Sequence, residues 1–72
     1  MYESVTDLNG INVVNGNINL NKAYVDELGG WGVATTMNID NVFYIQLFFS
    51  STVVATRQKK LSTNAWGNWN TH

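Results

Sequence analysis

The alternation of apolar and polar positions along this chain of 72 residues predicts β-strands rather than helices. Residues 17–21 alternate with a period of two, which is typical of a strand exposed on one face. Residues 31–39 resume β-favouring chemistry, with Trp31 at their start. Residues 42–49 form the most apolar run, so we expect a central strand buried on both faces, and residues 52–59 are predicted to return beside it as a hairpin.

Turn-forming residues separate these segments. Asn-Gly pairs at 9–10 and 15–16, Asp-Asn at 40–41 and Ser-Ser at 50–51 each predict a turn. Residues 11–14 are expected to form only a short extended piece. The alternation stops at residues 22–28, where we expect a turn or two of helix, or a loop, with Asn21 as a possible cap and Gly29-Gly30 as its end.

These segments together predict an all-β fold: a small antiparallel sheet of about four to six strands with at most one short helical turn. The chain has no proline, no long repeat and no linker composition. We therefore expect one domain over residues 1–72.

Composition adds a prediction of self-association. Domains of this size rarely reach more than about 3–5 kcal/mol of stability from a core alone. The chain has no cysteine for disulfides and one histidine, too few for a structural zinc site. Only 12% of its residues are charged, about half the usual share. A homo-oligomer explains both features, although a surface rich in Asn and Thr also keeps a monomer in solution.

The charge pattern argues against several classes of partner. A net charge of −1 gives no basic face for nucleic acid. The cluster of Arg57, Lys59 and Lys60 is interpreted as a solvated strand end or turn, with a nucleic-acid binder built on it as a weaker alternative. No apolar run is long enough to cross a bilayer, and residues 1–7 lack the features of a secretion signal.

The residues also argue against catalysis and against cofactors or metals. Asp26 and Glu27 are adjacent and point to different sides of a strand or helix. His72 is the last residue of the sequence and a poor candidate for a positioned base. The oxygen ligands at residues 38–41 fit a turn better than a calcium loop. We therefore expect no enzyme activity and no metal site.

Binding is the remaining class, and the three tryptophans carry it. Aromatic rings stack on the apolar faces of sugars, while amides and cations meet sugar hydroxyls. The same tryptophans also suit a core or a subunit interface, and both interpretations stay open. The candidate ligand-binding residues are Trp31, Arg57, Asn64, Trp66, Asn68 and Trp69. Arg57 is interpreted either as a partner for an anionic polymer or as a cation packed on Trp66 or Trp69.

The C-terminal half resembles a known family of phage domains. Residues 44–48 (YIQLF) precede residues 56–58 (TRQ) and the closing residues 64–69 (NAWGNW), and residues 6–9 (TDLN) resemble the family's opening. This order is similar to the pyocin-knob-like domains that end many phage tail fibres, and to cell-wall-binding domains of some phage endolysins that act on Gram-positive hosts. The family's Asn-x-Pro step is absent near residues 21–23.

The resemblance implies a function and an assembly. It implies a non-catalytic module of a bacteriophage protein, an endolysin or a tail fibre, that binds bacterial cell-wall or surface polysaccharide as a trimer or tetramer. It would act at the bacterial cell surface, after residence in the virion or in the host cytoplasm until lysis. The alternative is a purely structural oligomerisation or cap domain of a phage fibre.

Overall fold

The computed structural model describes the backbone of residues 3–5 and both backbone and side chains of residues 7–72. Residues 1, 2 and 6 lie outside the described residues. The expectation about a secretion signal and part of the family resemblance rest on them, and both stay predictions.

A single mixed sheet makes up most of the fold, and the small all-β fold predicted from the sequence is confirmed. Its strands are β1 (Glu3–Val5), β2 (Ile18–Val25), β3 (Gly30–Ile39), β4 (Phe43–Phe49), β5 (Val54–Lys60), β6 (Ala65–Trp66) and β7 (Asn70–Thr71). The first six neighbour one another in chain order, and β7 also pairs with β5. β1 runs parallel to β2, and the other pairs are antiparallel.

Two of the predicted turns depend on left-handed backbone. Asp40 and Asn41 have φ values of 54° and 58°, and the N–H of Val42 donates to the carbonyl of Ile39 at 2.9 Å. Gly16 has a φ of 80° in the turn that follows Val14. Asn, Asp and Gly tolerate this conformation better than other residues, so these turn predictions are confirmed with their physical cause.

The prediction for residues 22–28 is largely wrong. β2 continues to Val25, and Asn21 pairs with Ala34 within the sheet instead of capping a helix. Only Asp26–Leu28 forms a 3-10 turn, which ends at Gly29 with a φ of 90° as expected. Residues 21–23 extend because β2 has a strand on each side, β1 and β3, and these sheet hydrogen bonds outweigh the weak local pattern.

One face of the sheet is covered by residues 8–13, which we call the N-terminal segment, and by Trp69. We call this face the inner face. Its buried apolar cluster consists of Leu8, Ala23, Leu28, Ala34, Phe48 and Ala55. β4 contributes Tyr44, Gln46 and Phe48 to this face, all buried. Its other residues are only partly buried or, at Phe49, exposed, so the prediction that β4 is buried on both faces is wrong. Period-two patterning assigns residues to two faces but does not show which face has a cover.

A second 3-10 turn, Leu8–Gly10, begins that cover. The backbone N–H of Val13 then donates to the Tyr44 hydroxyl at 3.1 Å, and the Asn38 amide donates to the Val13 carbonyl at 2.7 Å. These bonds fasten the N-terminal segment across β3 and β4. Among the described residues, no helix has the length and apolar character needed to span a bilayer.

Candidate functional site

A row of polar side chains crosses the inner face at its centre. Thr36, Gln46 and Arg57 are cross-strand neighbours on β3, β4 and β5, and all three are buried. The Gln46 amide donates to the Thr36 hydroxyl at 3.0 Å and to the Leu8 carbonyl at 3.3 Å. Its Oε1 accepts a hydrogen bond from Nε of Arg57 at 2.6 Å. This row fixes the guanidinium of Arg57 in position.

The Arg57 guanidinium lies against both C-terminal tryptophans. Its Cζ atom is 4.2 Å from the ring centre of Trp66 and 4.4 Å from that of Trp69. The indole N–H of Trp66 donates to the Asn9 carbonyl at 3.2 Å, and Trp69 makes an edge contact with Phe48 at a centroid distance of 6.0 Å. The cation–π packing that the sequence left open is therefore present, and it involves both rings.

Burial changes the electrostatics of this cation. Arg57 is 8% exposed, and desolvation lowers the pKa of its guanidinium to about 10, while the negative charges of Glu27 and Asp7 act in the opposite direction. This pKa is still well above neutral, so Arg57 is a cation at physiological pH. The positive charge of Arg57 thus lies against the aromatic rings of Trp66 and Trp69.

Lys59 is the next residue of β5 whose side chain faces inward, and it also lies near aromatic rings. It is buried, and its Nζ atom is 5.5 Å from the ring centre of Tyr44 and 5.8 Å from that of Trp66. The prediction of a solvated basic strand end is therefore wrong for Arg57 and Lys59 and holds only for Lys60, which is exposed. Alternate residues of β5 face inward, where aromatic rings pack against both cations and the Gln46 amide also bonds to Arg57.

The C-terminal segment leaves two open depressions along β5. β6 pairs only with Lys59 and Lys60, and β7 pairs only with Ala55 and Thr56, so the intervening segment of residues 67–69 stands beside the sheet. The N–H of Gly67 holds it by donating to the Gln58 carbonyl at 2.8 Å. The depressions measure about 570 and 420 Å³, within the range of small-ligand sites.

We call these two adjoining depressions the C-terminal groove. Both are bounded by Arg57, Trp66, Gly67 and Asn68. The larger one is completed by Ile45, Thr56, Gln58, Lys60, Ala65 and Asn70. The smaller one is completed by Asn9, Glu27, Lys59, Asn64 and Trp69.

Five of the six candidate residues line this groove, and one does not. The five are Arg57, Asn64, Trp66, Asn68 and Trp69. Trp31 instead projects from β3 on the face opposite the inner face. There its ring centre is 5.6 Å from the ring centre of Tyr24 and 5.3 Å from the Nζ atom of Lys22. The spacing of residues 64–69 located the groove, whereas Trp31 shares only its residue type with the others.

Sequence reasoning missed the groove's supporting residues. Gln58, Lys59 and Asn70 line it, and Gln46 orients Arg57. A usable signal for Gln46 is its place as the lone polar residue inside an apolar strand, since a buried amide requires partners. Asn64 has a second role: its φ is 55°, and its backbone N–H donates to the Lys60 carbonyl at 2.8 Å, so it also shapes the turn after β5.

The groove combines aromatic rings, amides and positive charge. Three cations, Arg57, Lys59 and Lys60, line it with one carboxylate, that of Glu27. Within residues 7–72 no three His, Cys, Asp or Glu side chains are grouped to hold a metal ion, and the Asn38 and Asn41 side chains bond to each other within their turn. No family model, curated protein or solved structure matches this chain.

Proposed function

We propose that this chain is a non-catalytic module that binds a bacterial cell-wall or surface glycan in the C-terminal groove, acting as a homo-oligomer. One observation carries the proposal: Trp66, Trp69, Asn64 and Asn68 meet in one open groove with a fixed cation, Arg57. Sugar rings stack on aromatic surfaces, and their hydroxyls bond to amides. Neither the stacking of sugar rings nor the hydrogen bonding of their hydroxyls needs a nucleophile or a titrating base.

The charge of the groove favours an anionic glycan. Its three cations outnumber its carboxylate although the whole chain has a net charge of −1. Lys60 is exposed and is the cation best placed for direct contact, while the buried Arg57 contributes mainly through its field. A wall polymer bearing phosphate or carboxylate groups fits this distribution, and its binding should weaken as salt is raised.

The resemblance to phage tail-fibre and endolysin domains supports a setting for this activity. A module of this kind would attach a larger phage protein to the bacterial cell surface, either on a virion or after lysis. A single shallow sugar contact is weak, whereas linked copies raise avidity by about 10²–10⁴ when they bind together. We therefore propose multivalent attachment as the mechanism.

The test uses purified Gram-positive cell walls and a fluorescently labelled chain. Asn64→Gly and Asn68→Ala are combined because glycine keeps the left-handed turn at residue 64 while both groove amides are lost. Two lost hydrogen bonds predict binding weaker by about tenfold or more. Asn12→Ala, which removes an exposed amide remote in sequence from the groove, is the matched control and should bind like the parent.

Equal binding by the double variant and the control would exclude the groove as the glycan site. Substitution of the tryptophans is a poorer test, because it also removes the packing around Arg57.

A structural oligomerisation or cap domain is the second candidate, and one observation favours it. Arg57 occupies a face of each C-terminal tryptophan, as expected if these rings serve stability instead of ligand stacking. In that case the chain forms a stable oligomer and decorates no bacterial wall at any salt concentration. The binding assay separates the two candidates, and a mass measurement on the same sample checks the oligomer that both require.

A further inference from the structure

The face of the sheet opposite the inner face, which we call the outer face, carries twelve apolar side chains larger than alanine. Strand alternation places every second residue of β2 to β5 on it. Its apolar members are Ile18, Leu20, Tyr24, Trp31, Val33, Met37, Ile39, Phe43, Ile45, Leu47, Phe49 and Val54.

The strand register makes these side chains one continuous surface. Val33 pairs with Phe49, which pairs in turn with Val54. One row further along the strands, Leu20 and Leu47 lie on either side of Thr35. The apolar area therefore runs across β3, β4 and β5, and on β2 Lys22, the neighbour of Val33, separates Leu20 from Tyr24.

Several of these side chains are widely exposed. Ile18 is 62% exposed, Trp31 57%, Leu20 49% and Phe49 43%. Scattered exposed apolar residues are normal, but a continuous apolar patch beyond a few hundred Å² marks an interaction surface. Within residues 7–72 the cover of the sheet lies on the inner face, where Leu8 and Trp69 pack.

The distribution of apolar volume explains why this face needs a partner. Three of the six residues in the buried inner cluster are alanines, and the centre of the inner face is the polar row of Thr36, Gln46 and Arg57. Leu20, Ile45 and Leu47, branched aliphatic side chains of the kind that normally supply hydrophobic stabilisation, lie on the outer face instead. Burial of the outer face contributes what this small core lacks.

The small number of charged side chains on the outer face favours a partner surface that is also apolar. Across β2 to β5 the outer face has two ionisable side chains besides tyrosine, Lys22 on β2 and Lys60 at the end of β5, and no carboxylate. The ring of His72 lies at its edge, 2.9 Å from the Thr56 hydroxyl. A highly charged partner would leave its charges unpaired against this centre. A second copy offers an equally apolar face of the same shape, as isologous contacts require.

The size of the face is sufficient for a stable contact. The two long dimensions of the molecule are 31 and 27 Å. A standard interface buries about 800 Å² on each partner, an area comparable to the product of these two dimensions. We infer that the outer face is the interface between copies of this chain. The smaller depression of the C-terminal groove, which Asn64, Asn68 and Trp69 line, stays open in each copy, whereas the larger one shares Ile45 and Lys60 with the edge of the outer face.

This inference deepens the proposed function by naming the surface that brings its binding sites together. Its test is the mass of the purified chain in the absence of any cell wall, so it stands or fails separately from glycan binding. Sedimentation equilibrium is expected to give a multiple of the 8.1 kDa chain mass. Leu47→Glu, at the centre of the face, should reduce that mass to one chain.

Val14→Glu is the matched control, because Val14 is 72% exposed and lies outside the strands of the outer face. It should keep the parental mass. Since Leu47→Glu also risks unfolding, a second measurement follows the parent alone: its thermal midpoint should rise with chain concentration, as it does for a protein stabilised by association. A monomeric parent, or a midpoint independent of concentration, would overturn the inference.

Discussion

Gln46 Oε1 accepts a hydrogen bond from Nε of Arg57 at 2.6 Å, in the middle of the sheet and between two buried side chains. The same amide donates to Thr36 and to the carbonyl of Leu8. One side chain thus connects β3, β5 and the N-terminal turn. The position of Arg57 in the C-terminal groove depends on this connection.

Loss of the Gln46 amide should destabilise the protein strongly. Gln46→Leu leaves the Arg57 Nε–H and the Thr36 hydroxyl without their partner, which costs about 1–3 kcal/mol or more because one of them is charged. Removal of both members, Gln46→Leu with Arg57→Leu, should cost less than the sum of the two single changes. Urea unfolding of the three variants at one chain concentration measures this coupling, and strict additivity would contradict it.

Arg57→Lys should also destabilise the protein, even though it keeps the charge. A lysine ammonium lacks the planar group that stacks on Trp66 and Trp69 and cannot reproduce the Nε bond to Gln46. We expect a loss of about 1–2 kcal/mol, with a shift in tryptophan emission as the rings gain access to water. The reverse change at an exposed position, Lys60→Arg, should stay within about 0.5 kcal/mol of the parent.

The sequence predicted β3, β4, β5, the first part of β2 and most turns correctly, because period-two alternation and Asn-Gly or Asp-Asn pairs are local signals. It did not predict the short strands β1, β6 and β7. It failed where the outcome depends on what lies next to a segment. Lys22 joins β2 because strands flank it on both sides, and β4 keeps an exposed face because nothing among the described residues covers Ile45 and Leu47. Which face of a sheet is covered is a tertiary property that alternation does not contain.

The candidate site was likewise predicted where its signal is local and missed where it depends on the fold. The spacing of residues 64–69 brought Asn64, Trp66, Asn68 and Trp69 together on one short segment, and the structure places them in one groove with Arg57. Trp31 was grouped with them by residue type, and the fold puts it on the outer face. The burial of Lys59 was missed because a run of basic residues gives no sign of the aromatic rings that another part of the chain supplies.

Tyr44→Phe should weaken the attachment of the N-terminal segment. The Tyr44 hydroxyl accepts from the backbone N–H of Val13 at 3.1 Å and lies 3.3 Å from the Val13 carbonyl, and both residues are buried. Its removal leaves a buried backbone donor unpaired, at a cost of about 1–3 kcal/mol. Amide hydrogen exchange at Val13 should become faster. Tyr24→Phe removes an exposed hydroxyl and should leave both measurements near parental values.

Gly32→Ala should be the most damaging of the single methyl additions. A Cβ atom at Gly32 would lie 2.5 Å from Cζ of Phe48 and would also collide with the carbonyl oxygen of Phe49. Phe48 is completely buried and the carbonyl belongs to the paired strand, so neither moves without disturbing β3 and β4. We expect a loss of about 1–3 kcal/mol or more from overpacking, read from the urea midpoint. Gly10→Ala meets no atom within 4 Å and should change stability by less than about 0.5 kcal/mol, so an equal effect of the two alanines would show that this close approach is not what selects glycine at residue 32.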